Sequence, residues 1–320
     1  MIIDLIDLNI IRELENGCRA FPGLVIKKLN ITKENFFSRL VRLESTGLIK
    51  DYKSSVFLPA LVGGDWFLGC GFGSTPNHEK TLEHLTQALP FLLEVWQNIS
   101  FPVDFGPNLS FTFYCKDPPS VDPAPIDGCG VEQFPGAFDH FSYLEFYNLR
   151  KYSFPVPLPL ATDEKKLLRA INDNPTVAFN ELINIVNQEP PWIEEKLNRL
   201  MSNHDHFDDR SYGVTSIMQI LPELNWQVCE NFCHVHFIAE YPDAKLPMSN
   251  SDLPAQAGFQ IVLGGKPFRD KFYQLETDLW GFSELASKLK IIQQSGFKIK
   301  GLVLAGSNII INSWTQSLLV

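Results

Sequence analysis

The chain contains one helical pattern twice, and the two copies are separated by a constant 157 residues. The apolar and arginine positions of residues 10–14 recur at residues 167–171, and those of residues 36–43 recur at residues 193–200. Apolar residues between these anchors keep the same offset, so roughly thirty-five residues align without a gap. Two amphipathic helices can match by chance. Three consecutive helices that keep one offset indicate a duplicated module.

The length and composition predict a globular chain of two halves. It has 320 residues, of which 45% are hydrophobic, enough for two cores. No basic leader or long apolar run occurs, so we expect a soluble, cytoplasmic protein without a membrane partner. The six cysteines include no Cys-x2-Cys pair, which favours reduced residues over a disulfide framework. The net charge of −10 argues against a protein that coats nucleic acid, but it is compatible with one local basic face.

Residues 5–55 have the pattern of three short helices followed by an extended ribbon. Apolar residues recur at helical spacing in residues 5–16, 22–29 and 33–45. Thr32 has the position of an N-cap, and Gly47 ends the third helix. An extended pattern around polar residues follows at 48–56. This order is typical of a winged helix-turn-helix.

These residues resemble the Lrp/AsnC family of transcription regulators. Residues 6–14 are similar to the family's first helix, and residues 31–52, with Arg-Leu-Glu followed by Gly-Leu-Ile, are similar to its recognition helix and wing. The resemblance covers most of the chain and is strongest over residues 5–55. It implies an α+β fold in which each of two winged helix-turn-helix copies precedes a ferredoxin-like βαββαβ sandwich, the RAM domain. Such halves are expected to form an intrachain pseudo-dimer, with further self-association possible.

The remaining pattern fits two such sandwiches, except that residues 118–130 are too rich in Pro and Gly for the second helix of the first one. The proline-rich residues 154–160 predict a semi-rigid linker. The expected domains are a first winged helix at 1–63, a first RAM-like domain at 64–153, the linker, a second winged helix at 161–222 and a second RAM-like domain at 223–320.

The first winged helix is the expected DNA-binding module. Residues 1–55 hold nine Lys and Arg against seven Asp and Glu, and a third helix of this kind enters the major groove. The candidate DNA-binding residues are Lys33, Asn35, Ser38, Arg39, Arg42, Lys50 and Lys53. An ordinary solvated helix is the alternative interpretation. In residues 160–212 six Lys and Arg face ten Asp and Glu, so we expect the second copy to be a DNA-incompetent partner.

The family resemblance also implies a small-molecule effector, often an amino acid, at the RAM interface. The candidate effector-binding residues are chosen by position only. They are Asp104, Gly106, Asn108, Gly264 and Gly265.

Two histidine-containing segments carry side chains that can bind a metal ion. Residues 204–209 read as an exposed acidic turn. In residues 229–236, His234 and His236 share one face of a strand while Cys229 and Cys233 lie on the other, so these four cannot converge. We therefore expect no metal, no cofactor and no catalytic residue.

A second function from another class uses the same architecture. The chain resembles siroheme decarboxylases in its tandem form, its acidity and the sequence of residues 107–111, but residues 95–99 lack the His-Cys-Tyr-x-Arg run of those enzymes. A substrate with many carboxylates needs convergent cations. The second sheet offers His234, His236, Lys266 and Arg269 as the cationic residues for such a site. We therefore predict a DNA-binding transcriptional regulator. The alternatives are a siroheme decarboxylase-like enzyme of haem biosynthesis and a sensor or scaffold that does not bind DNA.

Overall fold

The computed structural model describes residues 1–16, 22–75, 77–101, 108–116, 143–201, 217–240, 260–264 and 272–319, with backbone alone at 101, 143–150, 260–264, 272–274 and 282. In the first half the elements are α1 (Leu5–Glu15), α2 (Pro22–Leu29), α3 (Lys33–Ser45), β1 (Ile49–Val56), α4 (Leu58–Val62), β2 (Gly64–Ser74), α5 (His78–Ala88), β3 (Leu92–Phe101), β4 (Leu109–Cys115) and β5 (Tyr143–Phe154). In the second half they are α6 (Thr162–Asp173), α7 (Phe179–Val186), α8 (Pro190–Met201), β6 (Met218–Leu224), β7 (Cys233–Glu240), β8 (Gln260–Gly264), β9 (Phe272–Leu279), α9 (Phe282–Gln294), β10 (Lys298–Ile310) and α10 (Thr315–Leu318).

The three-helix pattern of the sequence is present twice. The helices α6, α7 and α8 each begin 157 residues after α1, α2 and α3, as the repeat predicts. Phe36, Leu40 and Leu43 are buried along α3. On α8, Ile193 and Leu200 are buried at the matching positions, whereas Leu197 is partly exposed. Both helical triplets belong to one compact unit of residues 3–66, 152–225 and 309–320, which we call the helical unit.

The extended ribbon after α3 pairs with the other copy of the module. Strand β1 lies antiparallel to β6, from Ile49 opposite Leu224 to Val56 opposite Met218. These two strands form a two-stranded sheet of their own. The sequence predicts an extended ribbon at 48–56 but does not give its partner, which is a strand of the other half. Residues 203–209 of the second copy lie outside the described residues.

Residues 1–2, 67–151 and 226–308 form the other compact unit, which we call the sheet unit. It carries the eight-stranded sheet in the order β5-β2-β4-β3-β10-β7-β9-β8. Each half-sheet has four strands, and their spatial order is fourth, first, third and second along the chain, which is the ferredoxin-like order. The α+β fold class and the intrachain pseudo-dimer are therefore confirmed. The two half-sheets meet where β3 neighbours β10.

The two faces of the second half-sheet have different environments. One face packs under α9, where Val235, Phe237, Leu275 and Ile292 form a buried cluster. On β7 the opposite face carries Ile238, which packs with Val303 of β10 and with Cys70 and Phe72 of β2. Residues of both halves thus form the apolar cluster on this opposite face. Among the described residues, no helix has the length and apolar character needed to cross a membrane.

Candidate functional site

Two of the predicted DNA-binding residues are held in ion pairs at the start of α1. Arg39 Nη1 lies 2.9 Å from Asp4 Oδ1 and 2.8 Å from Asp7 Oδ1, and Arg42 also donates to Asp7. The Asp7 side chain has no exposed area. Burial acts to raise the pKa of Asp4, but the Asp7 N–H and the Arg39 guanidinium outweigh it and hold that pKa below its usual value. These arginines therefore fasten α3 to the amino-terminal turn of α1.

The second copy repeats this arrangement at the same offset. Arg199 donates to Glu164, and Lys196 Nζ lies 3.6 Å from the same carboxylate, whose side chain is 5% exposed. In addition, Glu164 accepts the Ala161 N–H at 2.9 Å, as Asp7 accepts the Asp4 N–H at 3.0 Å. The copy that was predicted to be unable to bind DNA thus uses its cations in the same way. A shared role in holding the helices together explains both copies.

The other predicted DNA-binding residues lie on exposed parts of α3 and β1. Lys33, Asn35, Ser38 and Lys50 are exposed. Asn35 Oδ1 accepts from Arg39 Nε at 2.8 Å, and Lys53 Nζ donates to Asp51 at 2.6 Å. The side of α3 opposite its buried residues carries Glu34, Ser38, Val41 and Ser45, and Val41 is 61% exposed. This outer side of α3 therefore has no cationic residue.

The predicted effector residues are described in part. Asn108 Oδ1 accepts the Thr75 N–H at 2.9 Å, and its Nδ2 donates to the Thr75 carbonyl at 2.8 Å. This side chain therefore ties the end of β2 to the start of β4. Gly264 is the last residue of β8 and pairs with Tyr273. Asp104, Gly106 and Gly265 lie outside the described residues.

In the described part of the sheet unit, β7 and β9 bring four titratable side chains together. In the antiparallel register His234 is opposite Asp278 and His236 is opposite Glu276, so all four lie on one face. His234 Nδ1 lies 2.9 Å from Asp278 Oδ1, and its Nε2 lies 3.1 Å from Glu276 Oε1. The two imidazole centroids are 5.1 Å apart. We call these four residues the histidine–carboxylate cluster.

The cluster lies on the face that the two halves share. His236 is opposite Val303 in the β7–β10 register, and Ile238 follows it on the same face of β7. Val303 and Ile238 are the residues that pack against Cys70 and Phe72 of the first half. The four side chains are therefore placed by rigid strands, next to a core contributed by both copies.

The two histidines have opposite electrostatic environments. Burial acts to lower the pKa of His234, but the hydrogen bonds to Asp278 and Glu276 outweigh it and raise the pKa to about 10. Burial, together with the charge of His234, lowers the pKa of His236 to about 4. The surroundings of the cluster therefore favour a proton on His234 and disfavour one on His236.

The first half has no equivalent cluster at its matching strand pair. Strands β2 and β4 place Gly69 opposite Phe113 and Gly71 opposite Phe111. A Cβ atom on Gly71 would lie 2.2 Å from the Phe111 ring, so that ring covers the glycine. Residues 109–115 contain no His, Asp or Glu. The cluster therefore distinguishes the second half from the first.

The sequence interpretation of residues 229–236 did not include the carboxylate partners of the histidines. It placed His234 and His236 on one face correctly, and Cys233, which is exposed, is on the alternate position of β7. Those partners are Glu276 and Asp278, which lie two apart on β9. The sequence signal for this cluster is a pair of strands that each carry titratable residues at alternate positions. Lys266, Arg269 and residues 204–209 lie outside the described residues.

No protein-family model matches the sequence, and no curated protein matches it significantly. Solved structures with a similar fold include the siroheme decarboxylase NirDL, at 12% identity over 94% of this chain and 90% of that chain, with a TM-score of 0.39. NirDL in complex with an iron-uroporphyrin III analogue gives a TM-score of 0.41 at the same identity and coverage. E. coli AsnC is 15% identical over 50% of this chain and 99% of its own, with a TM-score of 0.27.

Proposed function

We propose that this chain is a tandem Lrp/AsnC-like protein that binds a small molecule at the histidine–carboxylate cluster of its sheet unit. The observation that carries the proposal is the joined set of His234, His236, Glu276 and Asp278, held by strand pairing on one face. Burying four titratable groups costs desolvation free energy, which apolar residues at the same positions would not cost. Perturbed titratable groups of this kind concentrate at sites of binding or catalysis.

The chemistry of the cluster suits a ligand that needs both a proton donor and a nitrogen ligand. The imidazolium of His234 can donate a proton, and the neutral imidazole of His236 can coordinate iron or accept a proton. Siroheme combines an iron centre with carboxylates whose loss requires a proton. The resemblance of the sequence to siroheme decarboxylases makes siroheme the compound to test first.

The test is an anaerobic titration with siroheme, followed by absorbance and by mass spectrometry of the tetrapyrrole. We expect a shift of the absorbance spectrum that is lost in His236→Ala. Loss of carboxyl groups from the tetrapyrrole would identify the chain as an enzyme, and a spectral shift alone would identify it as a binding protein. An unchanged spectrum, or an equal shift with His236→Ala, would refute siroheme binding at this cluster.

The second candidate function is DNA binding by the first winged helix. It is supported by the exposure of Lys33, Asn35, Ser38 and Lys50 on α3 and β1. The ion pairs of Arg39 and Arg42 with Asp7 weigh against it, because the acidic second copy, which we expect not to bind DNA, has the corresponding pairs with Glu164. An electrophoretic shift with the protein's own upstream DNA tests it. Binding that weakens with salt and with Lys33→Ala would support this function.

A further inference from the structure

Three residues of the histidine–carboxylate cluster bring together atoms that bind transition metals. His234, His236 and Glu276 each offer one ligand atom, and these atoms all lie within 4.8 Å of one another. A tetrahedral ion with bonds of about 2.1 Å has its ligand atoms roughly 3.4 Å apart. Side-chain rotations that move the ligand atoms by about an ångström are therefore enough to close the three around one ion.

We propose that His234, His236 and Glu276 form a binding site for a divalent transition metal ion such as Zn²⁺. Two imidazoles and one carboxylate suit zinc, iron or cobalt, whereas magnesium and calcium prefer sites made only of oxygen ligands. Three protein ligands also leave a coordination position open for water or a small molecule. The site therefore has the composition of a metal centre that accepts an exogenous ligand.

Asp278 supplies the outer partner that such a site requires. It lies 2.9 Å from His234 Nδ1, which leaves Nε2 of the same ring facing Glu276. An ion bound at Nε2 replaces the proton shared with Glu276, while Asp278 keeps the proton on Nδ1 and fixes the ring orientation. Carboxylate–histidine–metal arrangements of this kind raise the basicity of the ligand nitrogen.

The strand framework places the ligands before an ion arrives. His236 and Glu276 are direct cross-strand partners. Val235, which lies between the two histidines, and Leu275, which precedes Glu276, are buried in the core under α9. Side-chain exposures of 21% for His234 and 29% for Glu276 leave the cluster accessible to an ion from solvent. The inference rests on the proposed function only in that both use this cluster, since an ion can bind without siroheme.

The test is isothermal titration of the full chain, freed of metal by chelation, with zinc chloride. We expect one site that weakens at least tenfold in both His236→Ala and Glu276→Gln, with circular dichroism confirming that each variant is folded. Asp278→Asn, which removes no ligand, should weaken zinc binding roughly tenfold to a hundredfold. If His236→Ala does not fold, the zinc affinities of Glu276→Gln and Asp278→Asn still test the site.

Two control variants separate this site from other zinc-binding groups. His78→Ala removes a histidine of α5 outside the cluster, and His204→Ala with His206→Ala removes the other histidine-rich segment. Both should bind zinc as the parent does. Loss of binding in the His204 and His206 variant with retention in Glu276→Gln, or no zinc binding by the parent, would overturn the proposal. If the parent binds zinc but its absorbance does not change with siroheme, only the proposed tetrapyrrole ligand is refuted. If it binds siroheme but not zinc, only the metal site is refuted.

Discussion

Replacing Arg39 and Arg42 with alanine should destabilise the helical unit. The double substitution leaves the fully buried carboxylate of Asp7 without a cationic partner. Removing one partner of a buried ion pair costs roughly 3–5 kcal/mol. Because the Arg39 and Arg42 side chains are 19% and 44% exposed, solvent screens part of each interaction. We therefore expect a loss of about 3 kcal/mol in the free energy of unfolding.

The assay is urea unfolding of the full chain, followed by the helical circular dichroism signal. The control is Lys27→Ala with Lys33→Ala, which removes the same charge from exposed positions and should change stability by less than about 0.5 kcal/mol. Adding Asp7→Asn to the arginine double variant replaces the unpaired charge by a neutral amide that still accepts the Asp4 N–H. This should restore roughly 1–2 kcal/mol.

Unchanged unfolding of the Arg39 and Arg42 variant would refute this reasoning. If that variant also lost salt-dependent binding to DNA, the arginines would be DNA contacts, as the sequence predicts. In the second copy, Lys196→Ala with Arg199→Ala should also be destabilising, because Glu164 is 5% exposed. A destabilising effect in one copy alone would show that the two arrangements are not equivalent.

Two further predictions concern the sheet junction and acid stability. Gly306→Ala should destabilise the chain by roughly 1–3 kcal/mol in thermal unfolding, because its Cβ would lie 2.1 Å from the Gln97 carbonyl oxygen. The control Gly23→Ala, which has open space around it, should be close to neutral. Equal effects of the two substitutions would argue against close approach of β3 and β10. The pKa values of Asp4 and Glu164 are lowered in the fold, so their contribution to stability is present above about pH 4.5 and is lost as the pH falls through the folded values. Asp4→Asn with Glu164→Gln should therefore reduce the slope of stability against pH on the acid side, and an unchanged slope would contradict this assignment.

Local patterns were sufficient to predict the helices but not the pairing between the copies. The 3.6-residue period predicts α1 and α3 from nearby residues, and the Thr32 cap acts within the first turn of α3. The pairing of β1 with β6 joins residues about 170 positions apart, and no local preference specifies that partner. The sequence therefore predicted a strand after α3 and missed where it pairs.

The candidate sites show the same limit. Arg39 and Arg42 have the composition and position of DNA contacts, and only the fold places them against Asp4 and Asp7. For the histidines, alternation along β7 predicted the shared face correctly. Their carboxylate partners depend on the β7–β9 register, which the pattern of either strand alone does not determine.

Hydrogen–deuterium exchange locates binding along the whole chain in one measurement, so it separates a ligand at the histidine–carboxylate cluster from DNA at α3. The protein would be compared alone, with zinc, with siroheme and with its upstream DNA. We expect slower exchange in β7 and β9, at residues 233–240 and 272–279, with zinc or siroheme, and no change in α3 with DNA. Protection of residues 33–45 by DNA, with no ligand effect at β7 and β9, would contradict this expectation.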